Sequence, residues 1–170
     1  MLKTNSPARS RGFTLIELLI TVAVLVVGLS LAAPNLSQQI LNYRVRSAAE
    51  GMLHGLNFAR TEAIRRNTPV SFTVVSGSSA WSVAQVSTAA VLAQRAAGES
   101  PGVTSTSAGS LWTLTFRPTG LVDTSAARLS QLTLSSQASN PDTRQIDVFG
   151  GGLIRMCNPN TSVADDPRRC

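Results

Sequence analysis

Residues that commonly carry catalysis are scarce in this 170-residue chain, which has one histidine, one lysine (Lys3) and two cysteines. His54 has Glu50 one helical turn earlier, a placement more typical of a surface or packed histidine than of a general base. No Ser-His-Asp set, HExxH, CxxC or phosphate-binding loop is present. Asp165 and Asp166 are more typical of a solvated loop than of a metal site. We therefore expect no catalytic residue, no metal site and no cofactor, and we do not expect an enzyme.

The one long hydrophobic run lies near the N terminus, at residues 13–33. A short basic segment ending in Gly12 precedes it, and a single charge, Glu17, interrupts it. At about 1.5 Å per residue the run is long enough to span a bilayer as a helix. A carboxylate in such a segment costs about 2.5 to 3.5 kcal/mol on insertion scales. Glu17 therefore needs a partner of opposite charge.

This N-terminal pattern resembles the class III leader of type IV pilins and type II secretion pseudopilins. The resemblance implies that a prepilin peptidase cleaves between Gly12 and Phe13 and that Phe13 is then N-methylated. It also implies that Glu17 pairs with the terminal amine of a neighbouring subunit as a filament assembles. Cleavage would create a cationic amine at Phe13, one turn from Glu17, and a buried carboxylate and ammonium are better tolerated together than alone. Glu17 is thus expected to set the register of assembly.

Two other interpretations of this segment are an ordinary secretory signal peptide and an uncleaved signal anchor. An ordinary signal requires a small-residue cleavage site after its apolar stretch, and residues 31–33 (Leu-Ala-Ala) could serve as one. Neither alternative accounts for Glu17 directly after Gly-Phe-Thr-Leu-Ile. The pilin-like interpretation is therefore favoured.

Charge is sparse, since charged residues make up 14% of the chain. The formal net charge is +6, from 15 basic and 9 acidic residues. Lys3, Arg9 and Arg11 lie before Gly12, so cleavage would leave 12 basic residues against 9 acidic ones, a net charge of +3. The pI near 11.0 therefore overstates the case for nucleic-acid binding. A C-terminal two thirds rich in Ser, Thr, Ala and Gly suits a protein that works outside the cytoplasm.

Both cysteines, Cys157 and Cys170, lie close to the C terminus. In an exported chain the simplest interpretation is a disulfide. Closing a loop of about 14 residues would stabilise the fold by roughly 3 kcal/mol in the chain-entropy model and would hold the tail in place. A metal site or a redox thiol are the alternatives, but His54 is far away in sequence and other ligands are lacking.

After Pro34 the pattern changes from wholly apolar to amphipathic, which predicts that the helix continues as a surface that packs on a globular domain. Residues 67–69 (Asn-Thr-Pro) should end it, giving one helix of some 50 residues. Glu62 and Arg66 are placed for an i,i+4 pair. The other arginines of this segment could simply form a solvated face. The apolar positions at three- and four-residue spacing are Leu36, Ile40, Val45, Ala48, Ala49, Met52, Leu53, Leu56, Ala59 and Ala63.

From Pro69 onward the period changes to two, which predicts strands. The segments 96–110 and 135–142 are rich in turn-forming residues and are predicted to be loops. The fold class is therefore α+β, with one long N-terminal helix packed on an antiparallel sheet or on two small sheets. The predicted strands are 70–75 and 81–86, paired as a hairpin, then 111–116, a short one near 121–122, 129–134, 144–149 and 153–156.

Three stretches resemble the GspH/FimT family of minor pilins and pseudopilins. They are residues 48–67, with Leu-Asn-Phe-Ala-Arg-Thr-Glu-Ala-Ile-Arg-Arg-Asn, residues 116–120 (Phe-Arg-Pro-Thr-Gly), and the final hairpin through Gly151 and Gly152. The resemblance implies a type IV pilin-like fold. Its expected parts are a leader at 1–12, a transmembrane or filament-core helix at 13–34, an amphipathic half-helix at 35–67, and a β domain at 68–170 with a disulfide-closed C-terminal loop.

The resemblance implies a minor pilin of a type IVa pilus that helps to initiate assembly near the pilus tip. Expected partners are the prepilin peptidase, other minor pilins and the major pilin, the inner-membrane assembly platform and a tip adhesin. The chain would cross the inner membrane once, with its globular domain in the periplasm, and reach the pilus surface after assembly. A GspH-type pseudopilin of a type II secretion filament shares leader, helix and fold, so the sequence separates the two poorly; the C-terminal disulfide favours the pilus.

A DNA receptor for natural transformation is a third interpretation, because some FimT-like proteins resemble that role through a Gly-Arg-x-Arg motif at the last hairpin. Here residues 152–155 read Gly-Leu-Ile-Arg, so Leu153 replaces the first arginine of the motif. Arg155, Arg168 and Arg169 could still form a patch that contacts phosphates, with weak and salt-sensitive binding. Two aspartates in the same loop oppose this. Solubilising tail charges are the favoured interpretation.

Overall fold

The computed structural model describes residues 12–137, 141–161 and 166–170, without the side chains of residues 31–35. Most of the predicted leader, residues 1–11, and Asp165 therefore lie outside the described residues. The last three positions of the predicted apolar run also fall where side chains are not described.

The dominant element is helix α1, Leu15–Arg66. Thr14 caps its start, because the Glu17 amide donates a hydrogen bond to Thr14 Oγ1 at 3.3 Å. The helix ends where the sequence predicts. Asn67 adopts a left-handed conformation with φ of 51°, and the Thr68 amide donates to the Ala63 carbonyl at 3.2 Å, as in common helix C-caps.

The chain divides into two compact units, Met1–Ser37 and Gln38–Cys170. In the first unit the large apolar side chains from Phe13 to Leu29 are at least half exposed, on all sides of the helix. Within the described part of the chain, no helix combines the length and the hydropathy that a transmembrane span requires.

The described residues of the second unit form eight strands in two antiparallel sheets of four. The first sheet has the order β3-β2-β1-β5, built from β1 (Val70–Val74), β2 (Trp81–Gln85), β3 (Val91–Arg95) and β5 (Thr113–Phe116). The second has the order β4-β6-β7-β8, built from β4 (Val103–Ser107), β6 (Gln131–Ser136), β7 (Arg144–Val148) and β8 (Ile154–Cys157). The α+β architecture and the β1–β2 hairpin predicted from the sequence are confirmed.

The core lies where one stripe of α1 meets the alternate, inward-facing residues of the strands. Small residues on the helix let the strands approach closely: a Cβ at Gly55 would lie 2.8–2.9 Å from ring atoms of Trp81 and Phe72. The helix side chains in the core are Val45, Ala48, Ala49, Met52, Leu56, Ala59 and Ala63, all from the predicted apolar stripe.

The prediction that residues 96–110 form a loop is wrong, because β4 (Val103–Ser107) lies within it. The sequence Val-Thr-Ser-Thr-Ser has little hydrophobic signal, and tertiary pairing with β6 overrides its turn-like composition. β3 was not predicted either. The short strand expected near residues 121–122 is a single bridge between Phe116 and Val122. The other predicted strands are present with ends shifted by one or two residues.

Candidate functional site

The N-terminal end of α1 presents one carboxylate on an otherwise apolar surface. Glu17 lies in the first helical turn, one turn from Phe13, whose side chain is 84% exposed. Thr14 and Glu17 have the Thr-x-x-Glu spacing of a capping box. This spacing is visible in the sequence and marks the start of the helix independently of the resemblance to pilins. Among the described residues no cation forms an ion pair with Glu17.

The C-terminal tail is fixed by the disulfide between Cys157 and Cys170, with a Cα–Cα distance of 5.1 Å. The predicted disulfide is therefore confirmed. The tail returns along β8, since the Asn158 amide donates to the Arg168 carbonyl at 2.6 Å and Asn158 forms a parallel bridge with Arg169. These bonds occupy backbone groups next to the end of the edge strand, which would otherwise be open to pairing with another chain.

The three arginines proposed for DNA contact come together beside this disulfide, and the side-chain hydrogen bonds of Arg155 and Arg168 are directed within the chain. Arg155 Nη2 donates to the Arg169 carbonyl at 2.7 Å. Arg168 donates to both carboxylate oxygens of Asp166, at 3.0 and 2.8 Å, and these bonds lower the pKa of Asp166. The charge of Arg168 is thus balanced locally.

Arg168 also lines a shallow pocket of about 110 Å³ that contains two arginines not identified from the sequence, Arg46 and Arg144. Arg46 pairs with Glu50 at 3.0 Å, and Arg144 pairs with Asp142. Each arginine of the pocket therefore has its own carboxylate, and the pocket offers little net positive charge to an anion.

A buried carboxylate, that of Glu62, lies near the C-terminal end of α1. Glu62 is 7% exposed and accepts hydrogen bonds from Arg65, at 2.8 and 2.7 Å, and from Arg66. The predicted pair between Glu62 and Arg66 is confirmed, and Arg65 joins it. The hydrogen bonds from Arg65 and then Arg66 lower the pKa of Glu62 from 4.5 to about 2.

Close to that helix end, α1 is joined to two loops by a junction that depends on two glycines. Arg60 Nε donates to the Gly120 carbonyl at 3.1 Å. Gly152 has φ of 80°, and a Cβ there would overlap the same carbonyl oxygen, so the backbones meet more closely than any side chain allows. The Val122 amide donates to the Gly150 carbonyl at 3.1 Å, which extends the contact. The family-like stretches 116–120 and 151–152 therefore meet in space at this junction.

The exposed apolar helical segment, the helix-and-two-sheet unit and the disulfide-closed tail define a type IV pilin-like subunit. Two crystal structures of the type IV minor pilin FimU from Pseudomonas aeruginosa PAO1 have the same fold, with TM-scores of 0.55 and 0.53. They are 18% and 19% identical in sequence, and the matches cover 71% and 70% of this chain and 92% and 97% of theirs. At this level of sequence identity, the similarity to FimU shows a shared fold only.

The chain belongs to the GspH family. The family model described as type II transport protein GspH matches residues 48–152, more than half of the chain. The prokaryotic N-terminal methylation motif matches residues 7–33. A comparison with curated proteins gave no match. The family consists of pilin-like structural proteins rather than of a known enzyme class. The methylation motif of this chain is typical of a membrane-anchored precursor that joins a filament.

Proposed function

We propose that this protein is a minor pilin of a type IVa pilus that enters the filament through its N-terminal helix and helps to initiate assembly near the tip. The observation that carries this proposal is the segment from Phe13 to Ser30, whose large apolar side chains are exposed on all sides and whose one charged residue is Glu17. A helix that is apolar all round is stable only when it is surrounded by lipid or by other apolar helices. Moving from lipid into a bundle of sibling helices meets that requirement.

The same proposal assigns roles to Gly12, Phe13 and Glu17 at the start of the helix. Prepilin peptidase cleaves between Gly12 and Phe13, Phe13 is N-methylated, and Glu17 then accepts the terminal ammonium of a neighbouring subunit. The methylation motif over residues 7–33 supports this assignment. Thr14 supports it physically, because its cap begins the helix directly after the cleavage point and holds Glu17 in the first turn. An unpaired carboxylate in an apolar environment is costly, so pairing selects one axial position for the subunit.

The proposed location and partners follow from these roles. Before assembly the chain sits in the inner membrane with its β domain in the periplasm, where it meets the peptidase and the assembly platform. After assembly it contacts other minor pilins and the major pilin, and a tip adhesin is a further partner. The Gln38–Cys170 unit supplies the surfaces for these contacts.

A pseudopilin of a type II secretion filament is the second candidate, and the description of the matching family model favours it. The shared fold with a structure titled as a type IV minor pilin supports the pilus instead. The disulfide-closed tail also supports the pilus, because it strengthens a domain that would be exposed outside the cell.

Deleting the gene and measuring the pilin sheared from the cell surface tests the proposal. Surface pili should collapse in the deletion strain and in a strain carrying Glu17→Ala, and the wild-type gene should restore them. Glu50→Ala is the matched control, since Glu50 makes a solvent-exposed pair with Arg46 and should leave pili unchanged. If pili are normal and the secretion of exported enzymes is reduced, the chain would be assigned to the type II secretion filament instead.

A further inference from the structure

Four exposed apolar side chains surround the junction between α1 and the two loops. They form what we call the junction surface, defined by Ile64 (51% exposed), Leu121 (46%), Phe149 (48%) and Leu153 (62%). Single exposed apolar residues are ordinary on a soluble domain, whereas several around one point are typical of an interaction surface.

The backbone contacts place these four residues around one junction. A Cβ at Gly120 would lie 2.8 Å from Ile64 Cδ1, so the helix end touches the loop that carries Leu121. Phe149 and Leu153 flank the tight turn of the last hairpin, where the Phe149 amide donates to the Leu153 carbonyl at 2.9 Å. Gly152, the neighbour of Leu153, packs against Gly120.

Arginines border the junction surface. Arg60 reaches the Gly120 carbonyl, and Arg128 Nη2 lies 3.8 Å from the position of a Cβ on Gly150. Among the described residues neither Arg60 nor Arg128 has a salt bridge. Arg117, in contrast, pairs with Asp123 at 2.6 Å. Within the described residues Arg60 and Arg128 thus have no paired carboxylate, although Asp123 lines the same small pocket as Arg128, whose Nε is buried without a hydrogen-bond partner.

The distribution of charge along the chain makes this end distinctive. After Gly12 there are 12 arginines and 9 acidic residues, a net charge of +3. The helix end and the neighbouring loop hold five of these arginines and two of the acids, which accounts for that whole net charge; the remaining seven arginines and seven acids cancel. The five arginines are Arg60, Arg65, Arg66, Arg117 and Arg128, and the two acids are Glu62 and Asp123.

We propose that the junction surface docks the globular domain of a different pilin-like subunit, one that presents carboxylates beside apolar side chains. Apolar burial would provide the affinity, and Arg60 and Arg128 would select an acidic partner and disfavour a second copy of this chain, whose own surface here is basic. The inference rests on the proposed function in that the partner is a subunit of the same filament.

Nucleic acid is the competing occupant of a basic surface. Phosphate contacts use arginine, lysine and polar donors, and they leave large apolar side chains without a role. Leu153 stands where a DNA-binding hairpin motif would carry arginine, and it is the most exposed of the four apolar residues. Docking of protein therefore accounts for more of this surface than binding of DNA does.

Site-specific photo-cross-linking of the full chain in its own cells tests the inference. Benzoylphenylalanine replaces Leu121 or Leu153 in separate strains, and cross-linked proteins are identified by mass spectrometry together with the attached residue. Val91, which is 57% exposed at the β3 edge of the first sheet, is the matched control position. We expect one pilin-like subunit to be captured from positions 121 and 153, through a region that holds Asp or Glu, and not from position 91.

Charge variants sharpen the test. Arg128→Glu should lower the cross-linking yield at position 153 by at least fivefold, whereas Arg128→Lys should restore most of it. Leu153→Glu should reduce the amount of this chain in sheared filaments, and Val91→Glu should not. Levels of disulfide-bonded protein in the membrane fraction establish that each variant still folds.

Several outcomes overturn the inference. They are equal capture from positions 91 and 153, capture of another copy of this chain, no captured pilin-like subunit, or an unaltered yield with Arg128→Glu. Retention of DNA by the wild-type chain that is lost with Arg60→Ala and Arg128→Ala would assign the surface to nucleic acid instead.

Different experimental results would contradict the proposed function and the docking inference. Pili that persist after gene deletion would end the type IVa assignment, while capture of a secretion pseudopilin from position 153 would still support docking. Pili that collapse after deletion, without any capture from positions 121 and 153, would end the docking inference alone.

Discussion

At the scale of single residues, Glu62 is a carboxylate in a mostly buried position whose charge is held by two arginines. Its pKa in the folded chain, about 2, lies below that of an unfolded chain, so the folded state binds fewer protons than the unfolded state in the window between the two values. The stabilisation is therefore complete above about pH 4.5 and is lost as the pH falls toward 2.

We predict that Glu62→Gln removes this part of the pH dependence. Urea unfolding of the detergent-solubilised chain, followed by tryptophan fluorescence, should show a lower midpoint for Glu62→Gln at pH 7, and a gap from wild type that narrows between pH 4.5 and pH 2. Glu50→Gln, at an exposed pair, is the control and should give a nearly constant, small difference. A gap for Glu62→Gln that does not change with pH would show that the carboxylate is not linked to folding.

Gly55 lies at a position of the helix where even a methyl side chain would be too close to the packed aromatic rings. Its Cα faces the rings of Phe72 and Trp81, whose centroids are 5.5 Å apart. Gly55→Ala gains up to about 1 kcal/mol of helix propensity, but forcing a methyl group into packed aromatic rings costs typically 1 to 3 kcal/mol. We predict net destabilisation, measured as a lower urea midpoint with an altered Trp81 emission. Gly98→Ala, with open space at its Cβ, should leave the midpoint nearly unchanged.

At the scale of structural elements, the disulfide-closed tail holds the segment after β8 in place. Replacing Cys157 and Cys170 together by serine should lower the free energy of unfolding by about 3 kcal/mol, because the unfolded chain regains the entropy of an open loop of about 14 residues. Urea unfolding with and without reductant measures this effect. Reductant should destabilise the wild-type chain by a similar amount and leave the double serine variant unaffected.

The arginines of the same tail give a second prediction at this scale. Because Asp166 neutralises Arg168 and the Arg169 carbonyl binds Arg155, we expect that replacing Arg155, Arg168 and Arg169 with alanine leaves DNA retention unchanged. Retention on DNA columns at low and physiological salt measures it. Strong low-salt retention that disappears in the triple variant would instead establish the tail as a phosphate-binding patch.

At the scale of the whole molecule, the two units differ in where their apolar side chains lie. All the buried hydrophobic residues of the described chain lie at or after Val45, whereas the large apolar side chains from Phe13 to Leu29, and that of Leu36, are exposed. We predict that removal of residues 1–37 gives a soluble protein with a cooperative unfolding transition, while the full chain requires detergent. Size-exclusion chromatography and urea unfolding of both proteins, without detergent, test this. Aggregation of the shortened protein would show that the first unit contributes to folding of the second.

Much of this architecture is predictable from the sequence because its signals are local. The apolar run with Glu17, the stripe of core residues from Val45 to Ala63, and the Asn-Thr-Pro helix stop each depend on neighbouring residues only. The disulfide is predictable because no other cysteine competes for either partner. β4 was missed because its alternation consists of threonine and serine, and only pairing with β6 makes it a strand.

The sequence by itself determined the family, the long helix, the lone carboxylate near its start and the closed tail, since these follow from periodicity, spacing and composition over short stretches. Only the tertiary structure decided which distant residues meet. It placed Gly120 against Gly152, directed the Arg60 guanidinium to a loop carbonyl, bound the Arg155 and Arg168 side chains within the chain, and brought Ile64, Leu121, Phe149 and Leu153 to one junction. Contacts between segments far apart in sequence depend on strand pairing and close backbone approach, which local patterns do not encode.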